Sequence, residues 1–382
     1  MRFVFRRLLP VLLVVAGARA QAGLMDNFID PEDGWFDASS WLLDNPYGFL
    51  PVPVIVTEPA VGVGGGLAVA FFHETEEEKA ARRKRASGGS GEFMPPSVSV
   101  AVGLYTESDS WVVGGGHIGH WKDDSIRYTG LGGVANINID FYGVGQDSSE
   151  PLKLNIDAGM ILNDIKFRLG ESDFFLGGEY SIAKVKTGFD LGLGGIGIGP
   201  LELEFVDAGL GVNAEYDTAD NPYAPTKGIE LEWSAILNGE SVGGDFNYRE
   251  YQLDNHFYFP LAKKWTAGFR LDGHFTDGDV PFFSAPFIML DGIPAMRYQD
   301  LKVLVGEVQL LYRIHRRFQL RAFTGAGRVA PDFDGLTDAV SREASGFGFR
   351  YTMIRALDLS TGIDVAFGPE DTVYYLKFGT AF

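Results

Sequence analysis

The residue types that carry most protein chemistry are sparse and scattered in this chain. Cysteine is absent, which removes thiol catalysis, thiolate-bound metal and disulfide frameworks together. The histidines, His73, His117, His120, His256, His274 and His315, are dispersed, and His117 and His120 stand so spaced that a strand points them to opposite faces. They show no zinc-ligand spacing, and no metal or cofactor is expected. Asp272, Asp277 and Asp279 offer the hard oxygens that calcium takes, but a solvated acidic loop accounts for the same residues. Glu250 and Asp254 share one face of a strand, as acid–base carboxylates would, yet no nucleophile accompanies them. The glycine runs Gly62 to Gly66 and Gly192 to Gly199 lack the strand-to-helix setting of a phosphate-binding loop. The chain reads as a non-enzyme.

The elements that would have to position these residues are strands. Fifty glycines in 382 residues are too many for helices, where each costs about 1 kcal/mol relative to alanine. The net charge of −19 argues against nucleic acid as a partner, since phosphate binding needs clustered Lys and Arg. At the start, Arg2, Arg6 and Arg7 precede an apolar run from Leu8 to Ala16 and the small-x-small sites around Ala20 and Ala22. Residues 1–22 therefore read as a secretory signal peptide cleaved near Ala20 or Ala22, with 23–51 a short acidic periplasmic segment.

From Val52 onward, apolar and charged residues alternate with period two. In Ile229, Leu231, Trp233, Ala235 and Leu237 one face is apolar, while Glu230, Glu232 and Ser234 occupy the other. Soluble strands average five or six residues; a strand crossing tilted through hydrocarbon needs about 9–11. Segments of that greater length recur, with aromatic pairs such as Tyr258-Phe259 and Tyr374-Tyr375 near their ends, where interfacial girdles would lie. The prediction is all-β: a transmembrane antiparallel β-barrel over 52–382, probable strand number sixteen, lipid outside and a polar lumen within. The Phe- and Pro-rich connection Thr276 to Lys302, between the eleventh and twelfth strands, is expected to fold into that lumen. The charged run Glu74 to Arg85 reads as a solvated connection on the periplasmic side, with a docking patch as the alternative. On the last strand Tyr374, Leu376, Phe378 and Phe382 are expected to alternate outward and to serve as a C-terminal assembly signal.

Several motifs, in this order, carry a resemblance. Asp217 to Gly228, DTADNPYAPTKG, has Asp217, Asp220, Pro225, Thr226 and Gly228 in the D-x-x-D-x-x-x-x-P-T-x-G pattern of a periplasmic turn. Met296-Arg297-Tyr298-Gln299 falls where an Arg-containing loop tip is expected, and Glu307 follows on the next strand. The stretch GFGFRY, Gly346 to Tyr351, and the terminal Phe382 complete the set. The chain resembles the BamA/TamA superfamily of outer-membrane assembly factors, the bacterial surface antigen domain. That resemblance implies a lumenal pair of Arg297 with Glu307 and Tyr298 beside it. It also implies a barrel whose first and last strands pair poorly, and a role in inserting or moving polypeptides at the outer membrane. Residues 23–51 are too short for the POTRA modules typical of the family, so a POTRA-less branch is expected, a monomeric barrel with outer-membrane lipid, periplasmic proteins and client polypeptides as partners. The alternative is a passive pore or surface-structural barrel with an acidic, cation-favouring lumen.

Overall fold

In the computed structural model, which describes residues 28–44, 49–73, 75, 80, 96–145, 150–190 and 201–382, sixteen antiparallel strands form one sheet in chain order. They are β1 Phe49–Val56, β2 Gly64–His73, β3 Ser97–Thr106, β4 Trp111–Trp121, β5 Ile126–Phe141, β6 Leu152–Arg168, β7 Phe174–Asp190 and β8 Leu201–Asp217. There follow β9 Gly228–Asn238, β10 Tyr248–Ala262, β11 Trp265–Gly278, β12 Lys302–His315, β13 Phe318–Ala330, β14 Arg342–Ile354, β15 Leu359–Phe367 and β16 Thr372–Phe378. The first strand starts at Phe49, slightly before the expected Val52. The leader, the glycine run Gly192 to Gly199 and nearly all of Glu74 to Arg85 lie outside the described residues.

Side-chain alternation sets the two faces. Along β6, Leu154, Ile156, Ala158, Met160 and Leu162 point inward and are buried, while Ile161, Ile165 and Phe167 point outward and are exposed, as a lipid-facing wall requires. His117 and His120 do take opposite faces: His117 shares an outward hydrogen bond with Ser99, and His120 turns inward to Asp124. Strands β5 to β8 are longer than a hydrocarbon layer needs, at 16 or 17 residues each. Their outward residues turn polar toward one end, in the cross-strand row Asn136, Asp157, Lys186 and Glu204. Lys184 lies 2.7 Å from Glu204 and Lys153 2.6 Å from Asp140 in the same band. This part of the wall stands above the apolar belt.

The lumen is not uniformly polar as expected. Toward the end where β1 begins and β16 ends it is charged: Lys166 Nζ lies 2.7 Å from Glu215 and 2.6 Å from Glu232, and Arg127 also reaches Glu215. Toward the other end Ile137, Ile139, Phe141, Leu154 and Ile156 form one apolar cluster with Phe283, Phe287 and Met296 of the β11–β12 loop. A loop that removes its own apolar side chains from water inside a barrel needs an apolar wall to receive them.

The chain end also differs from expectation. Tyr374 faces outward, but β16 stops at Phe378, and Gly379 at φ +70° turns the tail into the lumen. There Thr380 N donates to Tyr223 O at 2.8 Å, and the Phe382 ring lies 5.5 Å from His256 and 5.8 Å from Tyr258. Tyr258 and Tyr375, placed by sequence in the girdles, face inward and are buried. A side chain at position 379 would meet Tyr223 O at 2.6 Å in a left-handed conformation that costs a β-branched residue at least about 1–2 kcal/mol. Gly379→Val should therefore release the tail: carboxypeptidase should trim the variant and leave the wild type intact.

Candidate functional site

Among the described residues no ladder joins β16 to β1, so backbone pairing does not close the sheet between its end strands. Pro51 and Pro53 on β1 have no N–H to offer, and β16 spans only seven residues. Three groups of side chains gather around this join.

The first is the β11–β12 loop, residues 279–301. Its Ser284 hydroxyl donates to Asp207 on β8 at 2.8 Å, and Gly292 N donates to the Tyr375 hydroxyl on β16 at 3.0 Å. Ala295 N donates to Glu58 at 3.0 Å, tying the loop to the connection that follows β1. Burial pushes the Glu58 carboxyl above its ordinary value. Burial acts the same way on Asp291, but Lys377 at 2.6 Å and Arg321 at 3.3 Å outweigh it and hold that carboxyl well below the usual range. The loop thus bridges both sides of the join, since Glu58 follows β1 and Lys377 belongs to β16.

The expected Arg297–Glu307 pair is not the one that forms. Met296, at φ 60°, is buried in the apolar cluster, and Arg297 emerges toward the short β15–β16 connection. Its Nε lies 2.6 Å from Glu370, and its guanidinium stacks 4.2 Å over Tyr142. The Tyr298 hydroxyl donates to the same Glu370 oxygen at 2.7 Å; burial and that carboxylate push the phenol up to about 12. Glu307 does face inward and is buried, but it is met by Arg321 at 2.7 Å and Arg270 at 3.3 Å. Glycine at 325, directly across from Glu307, leaves room at that crossing. Arg321 continues the network to Asp364 at 2.8 Å and Gln309 at 2.8 Å, and Asp364 in turn holds Arg350. Gln309 and Arg350 donate to Thr380 O and Gly379 O of the inturned tail, each at 3.1 Å.

The second group is the turn between β8 and β9. Asp220 accepts from Thr226 N at 2.8 Å, Thr226 Oγ1 at 2.6 Å and Lys227 N at 3.2 Å, so the motif closes on itself. Asp217 accepts from Ala219 N and Arg127, Pro225 is buried, and Gly228 takes φ +112°. Asn221, which sequence reasoning passed over, is buried and reaches Leu357 O at 3.4 Å. The turn thereby spans the lumen mouth to the β14–β15 turn.

The third is the N-terminal segment 28–44, ending in the one-turn helix α1 Ser39–Asp44. Arg317, fully buried, binds Asp30, Asp33 at 2.8 Å and Asp37 at 2.8 Å. Arg355 binds Asp30, and Arg316 binds Glu32 at 2.7 Å. Arginines in the short β12–β13 and β14–β15 connections were the available sequence signal. Asp272 and Asp277, weighed as calcium ligands, instead meet Arg270 and Lys302.

Residues 202–288 match the Omp85 superfamily domain. Over those residues the chain carries an Omp85-type sequence. The match covers the β8–β9 turn and ends before Arg297. By structure, the barrel is similar to BamA from Haemophilus ducreyi lacking POTRA domains 1–3, at TM-score 0.55 and 11% identity over 94% of this chain and 82% of that one. It is also similar to CdiB from Escherichia coli, at TM-score 0.59 and 9% identity over 87% of this chain and 62% of that one. CdiB from Acinetobacter baumannii gives 0.50 and 9%, over 87% and 59%. At these identities the likeness is one of fold. No curated protein matches the chain.

Three outcomes test the geometry. Arg321→Ala removes the cation that Glu307, Asp364 and Asp291 share, leaving each carboxylate with one cation among the described residues, Arg270, Arg350 and Lys377 in turn, and should lower unfolding stability by about 3–5 kcal/mol. Arg297→Ala should instead open residues 279–301 to protease with little change in the barrel's unfolding midpoint. The Arg317 hydrogen bond holds Asp33 at about 2 against an ordinary 3.8. A lowered carboxyl stabilises fully above its ordinary value and loses that contribution as pH falls through its folded one. Hydrogen-exchange protection of residues 28–44, taken relative to the intrinsic exchange rate at each pH, should therefore be full above about 4 and fall as pH drops toward about 2.

Proposed function

We propose that this barrel is an outer-membrane assembly or translocation factor, one that helps insert or move polypeptides through its unladdered join. The observation that carries the reading is that no backbone ladder joins β1 to β16 among the described residues, while the β11–β12 loop ties Glu58, after β1, and Lys377, on β16. An edge strand is a template for another strand, and a client segment leaving water for lipid needs backbone partners on the way. The match to the Omp85 superfamily domain and the likeness to BamA and CdiB support the same role. In this reading the Arg297–Glu370 contact and the Asp291–Lys377 pair keep the loop seated while the join is shut, and the Asp217–Gly228 turn faces the periplasm. Outer-membrane lipid, periplasmic proteins and client polypeptides are its partners in this reading, and the working unit is one barrel.

A passive pore fits the interior less well. The β11–β12 loop and the inturned Phe382 occupy the lumen, and Asp364, Arg321 and Arg350 form a buried network along the wall of β13 to β15 beside them. Depleting the protein should lower the levels of other outer-membrane barrels in the membrane fraction. Unchanged levels, with open conductance of the purified barrel in planar bilayers, would refute the assembly role.

A further inference from the structure

The N-terminal segment makes an interface whose two sides are built independently. We infer that Arg316, Arg317 and Arg355 form a recognition site for a short acidic, aromatic peptide. Residues 30–37 of this chain fill it in cis, and a second segment of the same chemistry can fill it in trans.

The receptor side belongs to the barrel. Arg317 lies in the connection between β12 and β13; its carbonyl accepts from Thr352 N at 2.9 Å and its guanidinium donates to Thr352 O at 3.3 Å. Strand β14 thus positions this arginine without help from the peptide. Arg355 stands on the next turn at the same rim, and Phe318 and Tyr351 supply an aromatic floor beside them.

The ligand side is one short turn. The bridge between Ile29 and Phe36 is closed by Asp30 N to Trp35 O at 2.9 Å, Gly34 N to Asp30 O at 2.8 Å and Asp37 N to Phe28 O at 2.8 Å, with Asp30 accepting from Glu32 N at 2.9 Å and Asp33 from Trp35 N at 3.1 Å. This turn presents Asp30, Glu32 and Asp33 to the arginines. Trp35 meets the Phe318 ring edge-on at 5.2 Å, and the Tyr351 hydroxyl donates to Phe36 O. Asp37 adds a fourth carboxylate, 2.8 Å from Arg317. No strand ladder holds the segment to the sheet; its backbone ties to the barrel are few, Ala38 N to Met353 O at 2.8 Å among them. Four carboxylates against three guanidiniums, with an aromatic pair between, can be supplied by any short segment of that composition. Charge complementarity of this kind is exchangeable and weakened by salt where it is exposed, as at Arg316 and Glu32. The inference does not depend on the assembly role.

The test uses the full chain in detergent and a fluorescent synthetic peptide of residues 28–40. Wild type should bind it weakly, because the tethered segment competes at an effective concentration of about millimolar. The variant Asp30→Asn/Asp33→Asn/Asp37→Asn should bind at least about tenfold more tightly, less so in high salt. Adding Arg317→Ala should abolish that gain, and a peptide with Asn at the same three positions should not bind. Equal binding of the two peptides, or binding indifferent to Arg317→Ala, would overturn the inference. A second measurement needs no variant. Saturating peptide should speed chymotrypsin cleavage at Trp35 and Phe36 of the wild-type chain, and an unchanged cleavage rate would overturn it equally.

Discussion

In hydrocarbon a peptide group without a hydrogen-bond partner has no water to turn to, and each such group costs several kcal/mol. Fifteen strand pairs of this barrel satisfy that requirement by hairpin ladders between sequence neighbours. The requirement falls hardest on the remaining place, where β1 and β16 meet. There the molecule relies on side chains drawn from distant parts of the chain: Glu58 and Lys377 through the β11–β12 loop at one rim, Arg317 and Arg355 through the N-terminal segment at the other. A join held in that way is separable by breaking a few defined contacts, whereas parting two laddered strands breaks a whole row of backbone bonds.

The interior follows from the same arrangement. A loop that bridges the join must sit inside the barrel, and its Phe283, Phe287, Ile288 and Leu290 must be covered there. The wall accordingly is apolar where the loop rests and charged where it does not. Arg321 links the two regimes. It binds Glu307 on β12, Asp364 on β15 and Asp291 in the loop, so one guanidinium sets the loop against three separate parts of the wall. Buried charge of this sort adds little stability relative to apolar packing, but it tolerates only one arrangement of its partners.

Much of the architecture was legible from period-two patterning: the strands, their order and the inward aim of Glu307 all follow from alternation, a property of each strand alone. The β8–β9 turn was legible too, because Asp220, Thr226 and Gly228 bond within a single hairpin. Arg297 lies in the β11–β12 loop and meets Glu370, where sequence reasoning had paired it with Glu307. Alternation reports which face a residue occupies and says nothing about how far a loop reaches; Glu370 sits on a connection that no strand pattern marks. Phe382 failed for a related reason. One glycine in a left-handed conformation ends the alternation, and glycine in this chain is too common for Gly379 to stand out.

The amino-acid sequence by itself determined the class of the molecule: a cysteine-free, acidic, glycine-rich chain whose alternating segments can be stable only as a closed or nearly closed antiparallel wall. Those are local consequences of backbone geometry and of the partition of side chains between two faces. Only the tertiary structure decided which charges meet. Arg317 with Asp30, Asp33 and Asp37, or Arg321 with Glu307 and Asp364, are pairings across long stretches of chain. With many acids and bases facing one lumen, each guanidinium has several admissible partners. Three-dimensional register and loop path select among them.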